Sequence, residues 1–109
     1  MTQKLFVYGS LGPGRPNEQI LASIGGTWQP AKVKGRLEPR GWGAAMGFPG
    51  LVLDEAGSVI QGFLFTSENL DQHWASLDDF EGEHYQRILT KVHLEDGSST
   101  EAYLYALKA

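Results

Sequence analysis

The sequence predicts an α+β fold in which about six mostly antiparallel strands curl into a small barrel with two flanking helices. Segments of alternating apolar and polar residues lie next to one another along the chain with short turns between them, which is typical of hairpins. Apolar residues at helical spacing, by contrast, occur in only two isolated segments. Short, strongly twisted strands with few polar edges close readily into a barrel.

The first element is a short apolar and aromatic run at residues 4–9, KLFVYG, which predicts a buried strand that stops at a Gly-Ser pair. Asn17 then suits the N-cap position of a helix. Apolar side chains follow it at helical spacing, at Ile20, Leu21 and Ile24. Because Gly25-Gly26 tolerates a left-handed backbone and ends the pattern, we expect a helix at about 17–24.

The next strand is predicted at residues 31–38, where alternation places Val33 and Leu37 on one face. The basic residues at positions 32, 34, 36 and 40 are predicted on the wet face of this strand rather than in a phosphate site. A loop rich in Gly and Pro follows at 39–50. It carries three large apolar side chains, Trp42, Met46 and Phe48, which favour a packed or ligand-lining position.

A hairpin and a second helix are predicted next. Residues 51–54 and 59–66 flank a four-residue turn signature and predict the hairpin. Ser67 suits the N-cap of the helix. Three side chains form one apolar face at i, i+4 and i+7, namely Leu70, Trp74 and Leu77. We expect this helix to end at about 79–80, with Gly82 just past its end.

The last two predicted strands form a second hairpin, because residues 85–95 and 100–107 alternate around an Asp96-Gly97 turn. All these elements are expected in one domain, residues 1–109, since a chain of this length forms a single core that buries roughly two thirds of its unfolded surface. Its oligomeric state is expected to be a monomer or a weak homodimer.

Composition excludes several classes of site. The chain has no cysteine, so it has no disulfide, no thiolate metal site and no cysteine nucleophile. Its net charge of −4 argues against general nucleic-acid binding, because affinity for phosphate backbones comes mainly from clustered Lys and Arg. We see no signal peptide and no stretch close to the length of a membrane span. We therefore expect a cytoplasmic protein that binds neither nucleic acid nor membrane.

Familiar catalytic motifs are incomplete. Gly9 and Gly14 have the glycine spacing of a phosphate-binding loop, but Arg15 and Pro16 stand where Lys and Ser or Thr are required. Ser10 is not in a nucleophile elbow, because that motif requires glycine two residues earlier. No pair among the three histidines, His73, His84 and His93, has metal-ligand spacing. We therefore expect no metal and no cofactor.

Two other stretches can carry chemistry. The side-chain-poor turn after the first strand exposes consecutive backbone amides, which suit a carboxylate or a phosphate; a plain strand-to-helix turn is an equal alternative. Residues 77–87 (LDDFEGEHYQR) place four acids where the second helix meets a strand. An acid partly desolvated there has a raised pKa and can both take and give a proton near neutral pH. The alternative is a solvated acidic helix end.

Together these stretches resemble the signatures of the γ-glutamylcyclotransferase-like family, also called AIG2-like. The first signature is Val7-Tyr8-Gly9-Ser10-Leu11, followed by Gly14 and Asn17. The second is Leu77-Asp78-x-Phe80-Glu81-Gly82-x-x-Tyr85-x-Arg87. Between them, Phe48-Pro49-Gly50-Leu51-Val52 and Val59-Ile60-Gln61-Gly62-Phe63-Leu64-Phe65 resemble the family's central segment. The order and spacing of all three are more specific than any one alone.

The resemblance implies a small barrel and an enzyme that releases 5-oxoproline from a γ-glutamyl amine or a γ-glutamyl amino-acid derivative. It implies a substrate-binding loop made of Tyr8, Gly9, Ser10 and Leu11. It also implies that Glu81, which directly precedes the glycine, is the general acid and base; Glu83 is a rival. Tyr105 is a weaker candidate for lining the pocket, and the loop at 39–50 is expected to choose the leaving group.

This chemistry fits the residues, because the nucleophile is the substrate's own α-amine and the enzyme needs no nucleophile of its own. The γ-glutamyl compound is then the expected small-molecule partner. The alternative function is a non-catalytic module that binds a carboxylated, glutamate-like metabolite or a peptide end, since a fold and a pocket do not guarantee activity.

Overall fold

The computed structural model describes residues 2–39 and 49–108. Within them the strands are β1 (Gln3–Val7), β2 (Thr27–Glu38), β3 (Gly50–Leu53), β4 (Ser58–Ser67), β5 (Tyr85–Leu94) and β6 (Ser99–Leu107). The helices are α1 (Glu18–Ile24) and α2 (Trp74–Glu81), and a short 3-10 helix at Leu70–Gln72 precedes α2. Among these residues no helix combines the length and the apolar character that a membrane span requires.

The strands form a barrel, as the sequence predicts. Their order is β3-β2-β4-β1-β6-β5, and β2 also pairs with β5 through Ala31–Leu94 and Lys32–His93, which closes a ring of five strands. β3 is an additional strand on β2. All pairs are antiparallel except β1 with β6, which run parallel. The predicted hairpin of β5 and β6 is confirmed over nine residue pairs.

The chain buries apolar side chains on both faces of its central strands. The inner cluster consists of Phe6, Ala31, Val33, Leu51, Leu64, Val92, Ala102, Leu104 and Ala106. Every strand contributes to it and neither helix does, so it fills the barrel. The outer cluster consists of Leu5, Val7, Leu11, Leu21, Ile24, Phe65, Leu70, Leu77, Tyr85, Tyr105 and Leu107. It packs both helices against the outside of the barrel. Successive side chains of β1 and β6 point to opposite faces, so each of these strands contributes to both clusters.

The predicted hairpin of residues 51–54 and 59–66 is wrong. β3 pairs with β2 over residues 35–38 and β4 pairs with β2 over residues 27–35, on its opposite edge. The intervening turn crosses β2 at Gly35. A β-carbon on Gly57 would lie 2.5 Å from the Gly35 carbonyl oxygen, so this crossing requires a residue without a side chain.

The helix predicted from Ser67 begins later. Ser67 still belongs to β4 and pairs with Gln3, and its hydroxyl accepts a hydrogen bond from the Asn69 amide at 3.0 Å. The chain then forms the 3-10 helix, and α2 itself starts at Trp74 and ends at Glu81, one residue beyond the prediction. The predicted apolar face is confirmed, because Leu70 and Leu77 are buried in the outer cluster and Trp74 packs against it.

One predicted core position in β2 is exposed. Val33 is buried in the inner cluster, but Leu37 is 43% exposed although it lies on the same face. The reason is that β2 extends past the barrel here: its pairing with β4 stops at Gly35, and residues 36–38 pair only with β3. The basic residues at 32, 34 and 36 are exposed, as predicted, and position 40 lies outside the described residues.

Candidate active site

The turn that follows β1 is held by its own side chains. We call residues 8–12 the β1 turn. The Gly12 amide donates to the Gly9 carbonyl at 3.1 Å, which closes it. Leu11 is buried in the outer cluster and anchors the turn to the core. The backbone is therefore fixed in place by an apolar side chain that faces away from water.

Asn17 ties the β1 turn to the start of α1. Its backbone amide donates to the Ser10 carbonyl at 2.8 Å, and its side-chain amide donates to the Ser10 hydroxyl at 2.9 Å. Asn17 occupies the N-cap position, as predicted, but its side chain makes no capping hydrogen bond to α1. Its side chain bonds to a residue seven positions earlier instead, which stabilises the turn rather than the helix.

Tyr8 joins three strands at the mouth of the barrel. Its hydroxyl donates to the Tyr105 carbonyl at 2.7 Å and accepts a hydrogen bond from the Leu51 amide at 3.1 Å. Burial raises the pKa of the Tyr8 phenol far above its usual value. The hydroxyl is thus a structural link from the end of β1 to β6 and β3, and the phenol stays protonated throughout the physiological range.

Three backbone amides of the β1 turn make no hydrogen bond within the described residues. Within residues 2–39 and 49–108, no hydrogen bond is donated by the amides of Gly9, Ser10 or Leu11. Ser10 is only 8% exposed, so this part of the backbone lies largely below the protein surface. Consecutive amides of this kind form a concavity that suits an anion.

Glu81 is the last residue of α2. The Gly82 amide donates to the Asp78 carbonyl at 3.0 Å and completes the final turn. Gly82 has φ +86° and ψ −178°, a conformation that is essentially restricted to glycine, and it directs the chain away into β5. We call residues 78–82 the α2 end. Glu83, beyond this bend, is exposed.

The β1 turn and the α2 end meet at one cavity. Its lining includes residues 8–11 of the turn, Glu81 of α2 and Tyr105 of β6, all of which the sequence predicts as site residues. Glu83 is absent from this lining and lies in a separate surface depression together with Asp78 and Asp79. The cavity volume is about 40 Å³, which is room for a few water molecules.

The cavity shifts the titration of Glu81 into the neutral range. Burial raises the pKa of the Glu81 carboxyl to about 7, because the protein replaces the water that stabilises its charge. Burial also raises the pKa of Tyr85, and the neighbouring Glu81 adds to that rise. A carboxyl with a pKa near 7 is present in both protonation states at neutral pH, which general acid–base catalysis requires.

Tyr105 lines the cavity and is bonded at both ends. Its carbonyl accepts the Tyr8 hydrogen bond, and its hydroxyl donates to Asp78 Oδ1 at 2.7 Å. Burial raises the pKa of Tyr105 well above its usual value, and the hydrogen bond to Asp78 adds to the effect. Arg87 Nη1 lies 3.6 Å from the same Asp78 oxygen.

Tyr85 is a site residue that sequence reasoning missed. It is 8% exposed and lines the cavity beside Glu81. A signal was present, because Tyr85 belongs to the second signature, four residues after Glu81. Pro49 also contributes to the lining. The larger part of the predicted leaving-group loop, with Trp42, Met46 and Phe48, lies outside the described residues.

No group of three or more His, Asp or Glu side chains that could hold a metal ion occurs in the described part of the chain. His84 and His93 are exposed, His73 is half-buried at the N-cap of α2, and none of them lines the cavity. Among the described residues, the polar groups that line the cavity are main-chain amides, phenols, the Ser10 hydroxyl and one carboxyl.

The sequence and the fold of this chain are similar to those of known proteins. The chain matches the family model described as gamma-glutamyl cyclotransferase, AIG2-like, over residues 5–109. No curated protein sequence matches it significantly. Among solved structures, an AIG2-like protein from Mus musculus is 26% identical with a TM-score of 0.73, and the alignment covers 96% of this chain and 76% of that one.

Two further structures are similar. YkqA from Bacillus subtilis is 28% identical with a TM-score of 0.74; the alignment covers 99% of this chain, which spans only 36% of YkqA. A structure of a gamma-glutamyl cyclotransferase is 18% identical with a TM-score of 0.66, and the alignment covers 99% of this chain and 68% of that one. At this identity the similarity shows a shared fold. Because the family model covers nearly the whole chain, the protein belongs to the gamma-glutamyl cyclotransferase, AIG2-like family.

Proposed function

We propose that the protein is a γ-glutamyl cyclotransferase, which releases 5-oxoproline from a γ-glutamyl amine or a γ-glutamyl amino-acid derivative. The observation that supports the proposal is the shared cavity, which Glu81 and residues 8–11 line together. Membership of the family supports the same reaction. We further propose that the enzyme works in the cytoplasm, as a monomer or a weak homodimer, on a small-molecule substrate.

The β1 turn binds the α-carboxylate of the γ-glutamyl group through the amides of Gly9, Ser10 and Leu11. This holds the α-amine over the γ-carbonyl carbon, in the folded geometry that ring closure needs. Orientation of two reacting groups contributes on the order of 7–11 kcal/mol in well-aligned intramolecular reactions. Since the cavity holds only a few waters, the γ-glutamyl group displaces them and moves side chains at the mouth as it enters.

Glu81 transfers the proton. Its carboxylate takes one proton from the substrate's α-ammonium, and the freed amine attacks the γ-carbonyl carbon to form a five-membered tetrahedral adduct. The adduct collapses with cleavage of the bond to the leaving nitrogen, which receives the first proton from Glu81. The regenerated carboxylate then takes the second proton from the ring nitrogen, which becomes the lactam N–H, and passes it to the released amine, which leaves as an ammonium. The products are 5-oxoproline and a free amine or amino acid. A carboxyl with a pKa of about 7 suits both steps.

A product assay tests this proposal. Purified protein is incubated with a panel of γ-glutamyl amines, γ-glutamyl amino acids and γ-glutamyl-ε-lysine, and 5-oxoproline is quantified by mass spectrometry. We expect release of 5-oxoproline from at least one class, with the free amine in equal amount. Absence of release from every substrate, combined with thermal stabilisation by glutamate or 5-oxoproline, would contradict catalysis and support the non-catalytic binding module.

A further inference from the structure

A chain of contacts connects the two sides of the cavity through Tyr105. The Tyr8 hydroxyl donates to the Tyr105 carbonyl at 2.7 Å, and the Tyr105 hydroxyl donates to Asp78 Oδ1 at 2.7 Å. Asp78 lies three residues before Glu81, one turn earlier on α2. Contacts therefore run without a break from the β1 turn, through β6, to the turn of helix that carries the proposed acid and base.

Asp78 is held from a second strand. Arg87 of β5 brings Nη1 to 3.6 Å from Asp78 Oδ1, the oxygen that accepts the Tyr105 hydrogen bond. The guanidinium lies over the Trp74 ring at 4.4 Å and near the Tyr103 ring at 5.4 Å. Arg87 is thus positioned by two aromatic rings, and it keeps a positive charge beside the Asp78 carboxylate.

The α2 helix needs such an anchor. It has eight residues, and helices of that length are not stable in water without tertiary contacts. Leu77 is the side chain that α2 itself buries fully, and Glu81 lies one turn beyond it. Since a hydrogen bond to a carboxylate is roughly twice as strong as a neutral one, the Tyr105–Asp78 bond is a strong directed contact between β6 and the α2 end.

We propose that Asp78 and the Tyr105 hydroxyl form a clamp that fixes the α2 end against β6 and so positions the Glu81 carboxyl inside the cavity. Asp78 is a positioning residue, because it acts on the reaction only through Glu81. The effect of the clamp on catalysis rests on the proposed function. Its effect on Glu81 is a property of the protein without substrate.

The surroundings of Glu81 make its titration a measure of the clamp. Within residues 2–39 and 49–108, the titratable side chains that line the cavity with Glu81 are three phenols: Tyr8 after β1, Tyr85 of β5 and Tyr105 of β6. The charged pair of Asp78 and Arg87 lies next to the Tyr105 hydroxyl. Burial is what raises the pKa of Glu81 to about 7, so a displaced α2 end that admits water lowers it.

Titration of Glu81 in the protein without substrate tests the clamp. The carbon-13 shift of its side-chain carboxyl is followed against pH in the wild type and in Tyr105→Phe, which removes the hydrogen bond and leaves every charge in place. We expect the pKa to fall by about one pH unit or more in the variant. A pKa that stays at the wild-type value in folded Tyr105→Phe overturns the proposal.

Two aspartate variants separate the clamp from the effect of charge. Asp78→Asn and Asp79→Asn each remove one carboxylate close to Glu81, but only Asp78 bonds to Tyr105. We expect a larger fall in the pKa of Glu81 for Asp78→Asn than for Asp79→Asn, because an amide oxygen at position 78 accepts the Tyr105 hydrogen bond more weakly than a carboxylate does. We also expect Tyr105→Phe to lower this pKa less in the Asp78→Asn background than in the wild type. Equal falls in the two aspartate variants would show a charge effect alone and overturn the clamp.

Catalysis supplies the readout that distinguishes this inference from the proposed function. If 5-oxoproline is released, Tyr105→Phe and Asp78→Asn lower kcat by about tenfold to a hundredfold with KM nearly unchanged. If no substrate is turned over but the titration shifts as expected, the clamp stands and the proposed function fails. If turnover is seen and the pKa of Glu81 does not shift, the proposed function stands and the clamp fails.

Discussion

The β1 turn and the α2 end close the same cavity, but they are built in opposite ways. In the turn, side chains serve the structure: Leu11 is buried, Ser10 bonds to Asn17 and the Tyr8 hydroxyl links three strands. Its main-chain amides are the groups that we propose bind the substrate. At the α2 end the main chain serves the structure, and one side chain, Glu81, enters the cavity.

This difference predicts how each region responds to substitution. Side-chain changes in the β1 turn are expected to reduce stability more than catalysis, because the binding groups that we propose are amides, which every residue except proline possesses. Changes at the α2 end are expected to reduce catalysis most, because the proposed reaction depends on the Glu81 carboxyl. The predictions below run from the largest expected effect to the smallest.

The largest expected effect is that of Glu81→Gln on turnover. Glutamine keeps the size of the side chain but cannot exchange a proton, so we expect kcat to fall by about 10²–10⁴-fold. Glu83→Gln is the matched control, because Glu83 is two residues away, exposed and outside the cavity. Steady-state release of 5-oxoproline measures both. Unchanged turnover in Glu81→Gln, or an equal loss in Glu83→Gln, would show that the catalytic assignment is wrong.

The same substitution is expected to raise stability at alkaline pH. The pKa of Glu81 is about 7 in the folded protein against 4.5 for the ordinary side chain, so the folded state binds the proton more tightly. The free energy of unfolding of the wild type therefore falls by about 3 kcal/mol as the pH rises from about 4.5 to 7, and it is constant above that range.

Urea unfolding at pH 5 and pH 8 measures this dependence. Glu81→Gln has no proton to lose, so we expect its stability relative to wild type to be greater at pH 8 than at pH 5 by nearly that amount. Glu83→Gln controls for the removal of one carboxylate from the same surface. An identical pH dependence in wild type and Glu81→Gln would mean that Glu81 is hydrated in the folded protein.

A smaller effect is expected for Gly82→Ala. The backbone conformation of Gly82 costs other residues about 1–3 kcal/mol, although an added β-carbon meets no atom within 4 Å. Relief of that strain shifts the α2 end, so activity falls together with stability. Gly97→Ala is the matched control, since Gly97 has φ +90° in the β5–β6 turn and its β-carbon also meets nothing.

We expect both glycine variants to lose stability in thermal unfolding, but only Gly82→Ala to lose kcat when the two are compared at temperatures where both are folded. Equal kcat values in the two variants would show that the position of the α2 end is not set by Gly82.

The smallest expected effect is that of Ser10→Ala. It removes the acceptor for the Asn17 side chain and costs about 1 kcal/mol of stability, yet it keeps the Ser10 amide. We expect kcat/KM to change by less than about threefold. Asn17→Ala is expected to match it in stability, with no further loss in the double variant. A hundredfold loss of activity in folded Ser10→Ala would mean that the hydroxyl, rather than the backbone, contacts the substrate.

Local sequence patterns predict most of the helices and strands. They do not predict which strands pair when those strands are distant in the sequence. The alternation of β6 and the Asp-Gly turn before it specify the β5–β6 hairpin within some twenty residues of sequence. The turn between β3 and β4 was equally visible, but a turn signature does not reveal that both strands pair with β2, on opposite edges, at a crossing over Gly35. Leu37 was misplaced because alternation cannot show where the barrel ends.

The site was predictable only through the family resemblance. From the residues alone, an anion site and a plain turn are equally good interpretations of the β1 turn. For the acidic residues at the end of α2, a solvated helix end is the better interpretation. Their approach depends on the parallel pairing of β1 with β6 and on the packing of α2 against the outer cluster, which are long-range contacts. Tyr85 was missed, since its place in the cavity depends on the same packing.

The most direct test of the central claim is a crystal structure of the protein with 5-oxoproline. We expect the carboxylate of the ligand within about 3 Å of the amides of Gly9, Ser10 and Leu11, with the Glu81 carboxyl within hydrogen-bonding reach of the lactam nitrogen. A ligand bound elsewhere, or bound in this cavity with Glu81 turned away into solvent, would contradict the account.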